Sequence, residues 1–186
     1  FNPPSTPYIF SLDQYFYPYQ AKSINKNTTI YTLPGVFSRR ELDLGTLLLV
    51  STFNKSDYRS WQRKSVLDFG CGAGTIAAIL HPEIPSLLWD CIDVHYLALK
   101  SCEKTCLENG IQANIFASNG FSDIPQEKKY DVILSNPPFH EGQKKNLQTT
   151  YQFLEKAKEH LKNSGELRIV ANRFLPYMET LTKHFS

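Results

Sequence analysis

Two short stretches of this sequence carry residue types that could do chemistry together. Asp68-Phe69-Gly70-Cys71-Gly72-Ala73-Gly74 sets alternate glycines behind an acid, and Asp93 follows further on. Glycines so spaced suit a backbone that turns sharply while a ligand comes close to it, and the start of a following helix offers unpaired N–H groups. The second stretch is Ser135-Asn136-Pro137-Pro138-Phe139-His140. Proline cannot donate to a strand ladder, so two in succession stiffen the chain where a strand leaves its sheet. They would hold an amide oxygen (Asn136), a carbonyl (Pro137) and an aromatic ring (Phe139) at one place. Such a group suits an amino nitrogen conjugated to a flat ring, whose lone pair is otherwise delocalised. Two acceptors aimed at its two hydrogens favour the pyramidal, nucleophilic form through preorganised dipoles. Phe139 can stack on the ring, a contact worth ~1–3 kcal/mol. No metal and no dedicated base is required, although His140 could take up a proton later.

The elements around these stretches must bring them together. Ser65 to Phe69 reads as a strand that stops at the glycine turn, with a helix following through Leu80. Leu87 to Val94 is a strand, and Tyr96 to Asn109 a helix that Gly110 terminates. Ala113 to Ser118 and Tyr130 to Ser135 are strands. Lys144 to Asn163 is a helix with Leu147, Tyr151, Leu154 and Leu161 on one face, Gly165 opens a strand over Glu166 to Ala171, and Leu175 to Phe185 is helical. Upstream, Ile30 to Leu33 is a short strand, and Asp43 caps a stretch with Leu44, Leu47 and Leu48 at helical spacing. Strands alternating with helices predict an α/β fold, a doubly wound, mainly parallel sheet. In such a sheet ligands bind beyond the carboxyl ends of the strands, where the winding reverses. Both chemistry-bearing stretches follow strand ends.

Composition bounds the partners. At 186 residues the chain makes one domain, expected over residues 28–186, with residues 1–27 as a Tyr- and Pro-rich lead-in. Lys plus Arg exceed Asp plus Glu by 20 to 18, so any basic footprint for nucleic acid must be local. Cys71, Cys91, Cys102 and Cys106 form no CxxC pair, which suits a reduced, cytoplasmic chain better than a structural metal site. No apolar run is long enough for a membrane span. The sequence starts at Phe1, as a piece of a longer chain with an upstream domain would.

The glycine spacing alone leaves two readings. A dinucleotide site uses G-x-G-x-x-G, whereas Thr75 stands here at the third glycine's place; Asp93 could hold a ribose diol in either type of site. Val66 to Gly74 resembles the cofactor-binding motif of class I S-adenosylmethionine methyltransferases. The resemblance implies that Asp68 faces the methionine amine, that Gly70, Cys71, Gly72 and Gly74 let the cofactor lie against the backbone, and that Asp93 holds the ribose hydroxyls. Phe116 to Phe121 matches the adenine-recognising region, which brings in Ser118 and Asn119. Asn119 replaces a more usual Asp, and its amide could both accept from and donate to adenine.

Asn136-Pro137-Pro138-Phe139 resembles the Asn-Pro-Pro-aromatic motif of amino-methyltransferases, a more specific signal than the glycine turn. It implies that Asn136, Pro137 and Phe139 are catalytic, with Asn136 also beside the cofactor, and that the nitrogen attacks a sulfonium methyl group. An oxidoreductase reading leaves this motif unexplained. Thr32 to Arg39, Leu42-Asp43-Leu44-Gly45 and Asn136 to Gly142 are similar to bacterial ribosomal-RNA guanine-N2 methyltransferases, over about Tyr31 to Tyr177. That resemblance implies methylation of guanine N2 in ribosomal RNA, foremost of the small subunit. It also implies that Phe37 lies near the cofactor, and that two more strands and an inactive methyltransferase-like domain complete the fold. Pro138, Phe139, His140, Arg39, Lys144 and Arg173 are the candidate substrate contacts, the cations through phosphates. Adenine N6 and a protein glutamine amide are the alternative acceptors; glutamine methyltransferases usually carry Tyr where Phe139 stands. A non-catalytic RNA-binding module would have no use for Asp68, Gly70, Gly72, Asp93 and Asn136 together.

Overall fold

Apolar runs without alternation are the mark of strands buried on both faces, and two such runs build the centre of this protein. In the computed structural model, which describes residues 10–22, 26–137, 145–171, 181–182 and 185, Val66, Leu67, Val132, Ile133 and Leu134 are fully buried. The hairpin strands are β1 (Tyr17–Lys22) and β2 (Asn27–Thr32). Five parallel strands follow, β3 (Ser65–Phe69), β4 (Leu88–Asp93), β5 (Ala113–Ala117), β6 (Tyr130–Ser135) and β7 (Leu161–Ile169). Their order is β5-β4-β3-β6-β7, so the winding reverses between β3 and β6. Helices α1 (Leu44–Ser51), α3 (Thr75–Leu80) and α4 (Tyr96–Glu108) share one core with Val66, Trp89 and Cys91. Helix α5 (Lys145–Glu159) packs Phe153, Leu154 and Ala157 against Leu67 and Ile133 on the other face. The doubly wound parallel sheet is the architecture the alternating pattern predicts. No helix among the described residues is long and apolar enough to cross a membrane.

Four local features differ from the sequence expectation. The lead-in contains β1, paired antiparallel with β2 from Tyr17↔Thr32 to Lys22↔Asn27, with Tyr19 and Ala21 in the core. The outer side of β2 is satisfied by a helix: Tyr31 N–H donates to Thr105 Oγ1 (3.0 Å), Leu33 N–H to Ser101 Oγ (3.0 Å), and Asn109 Nδ2 donates to Thr29 O (2.8 Å). The polar loop before β3 contains α2 (Lys55–Ser60), started by a capping box in which Asn54 accepts from Ser56 N–H and Asp57 from Asn54 N–H.

At the far edge, α5 ends at Glu159 and β7 begins at Leu161, within the span expected to be helical. Tyr130 pairs with Leu161 and Val132 with Glu166, so β7 takes five steps where β6 takes two. The surplus residues bulge out, and Gly165 sits inside this bulge rather than opening the strand. A Cβ there would come within 3.0 Å of the Lys162 backbone. Of the last expected helix, only Leu181 and Thr182 are described, and both are helical.

Candidate active site

The reversal point between β3 and β6 opens into a cleft of about 1080 Å³, with the glycine turn on one side and Asn136 and Pro137 on the other. Gly70 and Gly72 line it with φ of +71° and +55°. A Cβ on either would meet nothing within 4 Å, so the backbone conformation demands glycine and the space beyond stays open for a ligand. Gly74 (φ +73°) has a different reason: a Cβ there would lie 2.8 Å from Cys102 Sγ on α4. It is a packing glycine that lets α3 start against α4. Cys71 is buried beside the thiols of Cys91 and Cys102, and its N–H donates to Ile92 O (2.9 Å).

Three acids near the turn have three environments. Asp93 accepts from Gly72 N–H and His95 N–H, one on each oxygen at 2.9 Å, which ties the turn to the start of α4. Each oxygen keeps a lone pair for a ligand hydroxyl. Asp68 lies fully buried behind the turn, and neither of its oxygens has a hydrogen-bond partner among the described residues. Burial, with the Cys102 thiol and the Asp93 carboxylate nearby, pushes its pKa well above the usual carboxylate range. Asp43 caps α1 by accepting from Thr46 N–H (2.9 Å).

Asn136 joins α1 to the end of β6. Its Nδ2 donates to Asp43 Oδ2 (2.7 Å) and to Thr46 Oγ1 (3.0 Å). An ionised carboxylate only accepts, so this pairing fixes which end of the amide is nitrogen. With both N–H bonds taken by Asp43 and Thr46, the carbonyl oxygen has no donor among the described residues, and Asn136 lines the cleft. Ser135 Oγ donates to Phe69 O (2.8 Å), clamping the ends of β6 and β3 together.

The remaining expected residues fall into three groups. Phe37 is exposed and lines both the cleft and a small recess beside Asp43; Asn119 is an exposed cleft residue. Ser118 borders the cleft but chiefly organises its loop, with Oγ donating to Gly120 O (2.8 Å) and accepting from Asp123 N–H (3.2 Å). Arg39 stands apart from the cleft lining, its Nε buried without a hydrogen-bond partner among the described residues. Pro138, Phe139, His140, Lys144 and Arg173 lie outside the described residues.

Sequence reasoning missed the apolar floor. Phe69 has ring centroids 4.8 Å from Phe121 and 4.6 Å from Phe153, and His160 stacks on Phe121 at 5.0 Å. No local pattern marks these rings as neighbours, because they come from β3, a loop and α5. Thr46 was missed as well, and Asp43 and Gly45 were read only as a cap and as part of the entry segment, not as groups that meet Asn136.

Residues 27–186 match the methyltransferase small domain family. Over 177 residues the chain is 45% identical to the ribosomal RNA small subunit methyltransferase C of Haemophilus influenzae, covering 95% of this chain and 51% of that protein. The protein of the same name from Pasteurella multocida is 44% identical over 181 residues, 97% of this chain and 52% of that one. The chain thus spans about half the length of the curated relatives it matches. Among solved structures, the T. thermophilus 16S rRNA N2 G1207 methyltransferase (RsmC), in complex with AdoMet and guanosine, superposes with a TM-score of 0.83 at 26% identity. That match covers 96% of this chain and 47% of that chain.

Proposed function

The chain belongs to the methyltransferase small domain family, and on that premise we propose that it transfers a methyl group from S-adenosylmethionine to the exocyclic N2 of a guanine in ribosomal RNA, foremost of the small subunit. The observation that carries this reading is Asn136 at the reversal point, lining the cleft with its amide nitrogen held by Asp43 and Thr46. The relatives named for small-subunit ribosomal RNA and the structural relative bound to AdoMet and guanosine support the choice of cofactor and base.

The residues present suit the cofactor. Asp68 is a buried carboxylate without a counter-charge among the described residues, and an ammonium against the turn supplies one. Gly70 and Gly72 leave open space where the cofactor would lie along the backbone, with Cys71 and Gly74 completing the turn. The free lone pairs of Asp93 suit ribose hydroxyls. Ser118 and Asn119 border the adenine end, and Phe37 covers the open side. When bound, S-adenosylmethionine supplies an electrophilic methyl group on a sulfonium.

On the substrate side, Asn136 Oδ1 and the Pro137 carbonyl accept from the two N2 hydrogens. They draw the nitrogen lone pair out of conjugation and stabilise the positive charge that develops there. Phe139 is assigned to stack on the guanine, with Pro138 and His140 as further substrate contacts. Lys144 and Arg173 contribute phosphate contacts. A proton leaves the nitrogen once it carries the methyl group, when it is strongly acidic, so no base need act beforehand.

The test is methyl transfer from labelled S-adenosylmethionine to ribosomal RNA and to isolated small subunits, with mass spectrometry of the digested nucleosides. The expected product is N2-methylguanosine, lost in Asn136→Ala. N6-methyladenosine alone overturns the guanine assignment, and label on a glutamine peptide but on no RNA overturns the RNA substrate.

A further inference from the structure

We infer that Asp43 is a positioning residue for the methyl transfer, and that Gly45 is glycine to make room for it. The inference rests on the role given to Asn136 above. An amide can present either end to a substrate, and only its oxygen can accept from an amino group. What decides the orientation of Asn136 is a carboxylate 93 residues earlier in the chain: Asp43 Oδ2 takes one Nδ2 hydrogen at 2.7 Å, and Thr46 Oγ1 takes the other at 3.0 Å. Asp43 Oδ2 is itself fixed by Thr46 N–H at 2.9 Å, so the carboxylate cannot swing away without uncapping α1.

The contact is charge-assisted, which makes it stronger than an amide–amide pair. A hydrogen bond from Nδ2 to a negative group also polarises the amide and places more charge on Oδ1. Oδ1 then becomes a better acceptor at the moment the substrate nitrogen turns positive. The negative charge behind Asn136 thus acts on the reaction through the amide.

Gly45 supplies the space. A methyl group at this position would sit 2.9 Å from Asp43 Oδ2 and 3.1 and 3.2 Å from the two ends of the Asn136 amide. A side chain there obliges the Asp43 carboxylate and the Asn136 amide to shift from these positions. The first turn of α1 therefore contributes three parts, the anion at 43, the gap at 45 and the hydroxyl at 46, all directed at one amide.

The test separates this role from helix capping. Serine caps helices as well as aspartate does, but its oxygen is one bond too short to reach Asn136. In the full chain, Asp43→Ser should keep the α1 cap, with melting lowered only by the lost Asn136 contact, and keep its KM for S-adenosylmethionine within about twofold. Its kcat should fall by about ten- to a hundredfold, the scale of a misplaced reacting group. Asp43→Asn keeps an acceptor oxygen without the charge and should recover part of that loss, while Gly45→Ala should reproduce it. The Asn136 side-chain amide resonances, read by nitrogen-15 NMR, should move upfield in Asp43→Ser as the charge-assisted bond is lost. Wild-type kcat in Asp43→Ser overturns the inference, and so do unmoved Asn136 resonances. The resonances need no substrate, so a wild-type protein inactive on RNA defeats the proposed function while this inference is still decided.

Discussion

Replacing Asp68 by asparagine should stabilise the cofactor-free protein while removing its cofactor binding. The carboxylate is fully buried, has no hydrogen-bond partner among the described residues and sits near Asp93. Burial above all, with the Cys102 thiol and Asp93, raises its folded pKa well above the unfolded value of about 3.9. For an acid shifted this way the folded state holds a proton that the unfolded state releases. Stability therefore falls as pH rises from about 4 up to the folded pKa, by at most about 1.4 kcal/mol per pH unit. An asparagine has no such proton to lose, and its amide is buried much as the protonated acid is. The advantage of Asp68→Asn should be near zero at about pH 4 and reach about 1–3 kcal/mol at neutral pH. Urea unfolding of both proteins between pH 4.5 and 7.5 measures it.

Saturating S-adenosylmethionine should invert the order. A ligand at a hundred times its Kd stabilises by about 2.7 kcal/mol, and only the wild type offers the ammonium a charge. If Asp68→Asn is the less stable protein at pH 7.5 without cofactor, the carboxylate already has a partner in the fold, and its reservation for an ammonium is refuted.

Two further outcomes follow from the same geometry. Gly74→Ala should cost about 2–4 kcal/mol, from left-handed strain and from the clash 2.8 Å from Cys102 Sγ; adding Cys102→Ala should recover the clash and leave about 1 kcal/mol of strain, measured by thermal unfolding. Asp131 is raised by burial but lowered more by Lys162 (2.7 Å) and by Ser65 N–H and O–H (both 2.8 Å), to a pKa of about 2. Its contribution is present above the unfolded value and lost as pH falls from about 4 to 2, so Asp131→Asn should cost on the order of 1–2 kcal/mol at pH 7 and nothing near pH 2, read from acid unfolding curves.

The central strands were legible because burial on both faces leaves an apolar run between turn signals, as at Val66-Leu67 and Val132-Ile133-Leu134. The glycine turn and the Asn136-Pro137 exit were legible because residue type and strand-end position coincide within a few residues. Helix α2 was not, because a six-residue polar helix has no apolar stripe to betray it. Its signal is the Asn54 and Asp57 capping box, which also occurs in loops. Strand β1 was hidden because only Tyr19 and Ala21 of its residues reach the core, and the far side of its partner β2 is completed by hydroxyls and an amide of α4 rather than by another strand. The start of β7 was hidden because Gly165 reads as an opening when it is the sharp point of a bulge.

What the sequence could not express is convergence. Asp57 in α2 pairs with Arg168 in β7 (2.9 Å), whose guanidinium lies 4.5 Å from the Phe53 ring and 4.9 Å from the Trp61 ring; no spacing links these positions. The candidate site repeats the pattern at higher stakes. A glycine turn is a feature of many α/β proteins and commits the chain to no reaction. An asparagine after a strand commits it only when the amide is oriented, and the orienting groups lie in α1, ahead of the parallel sheet. Segments at strand ends can therefore carry the reacting groups while the segment preceding the sheet decides whether they work. The short polar contacts of Asn136 put that decision on Asp43 and Thr46. A substitution at Gly45 or Thr46, in the first turn of α1, should consequently damage turnover more than one of equal size on the exposed face of the same helix, at Leu48.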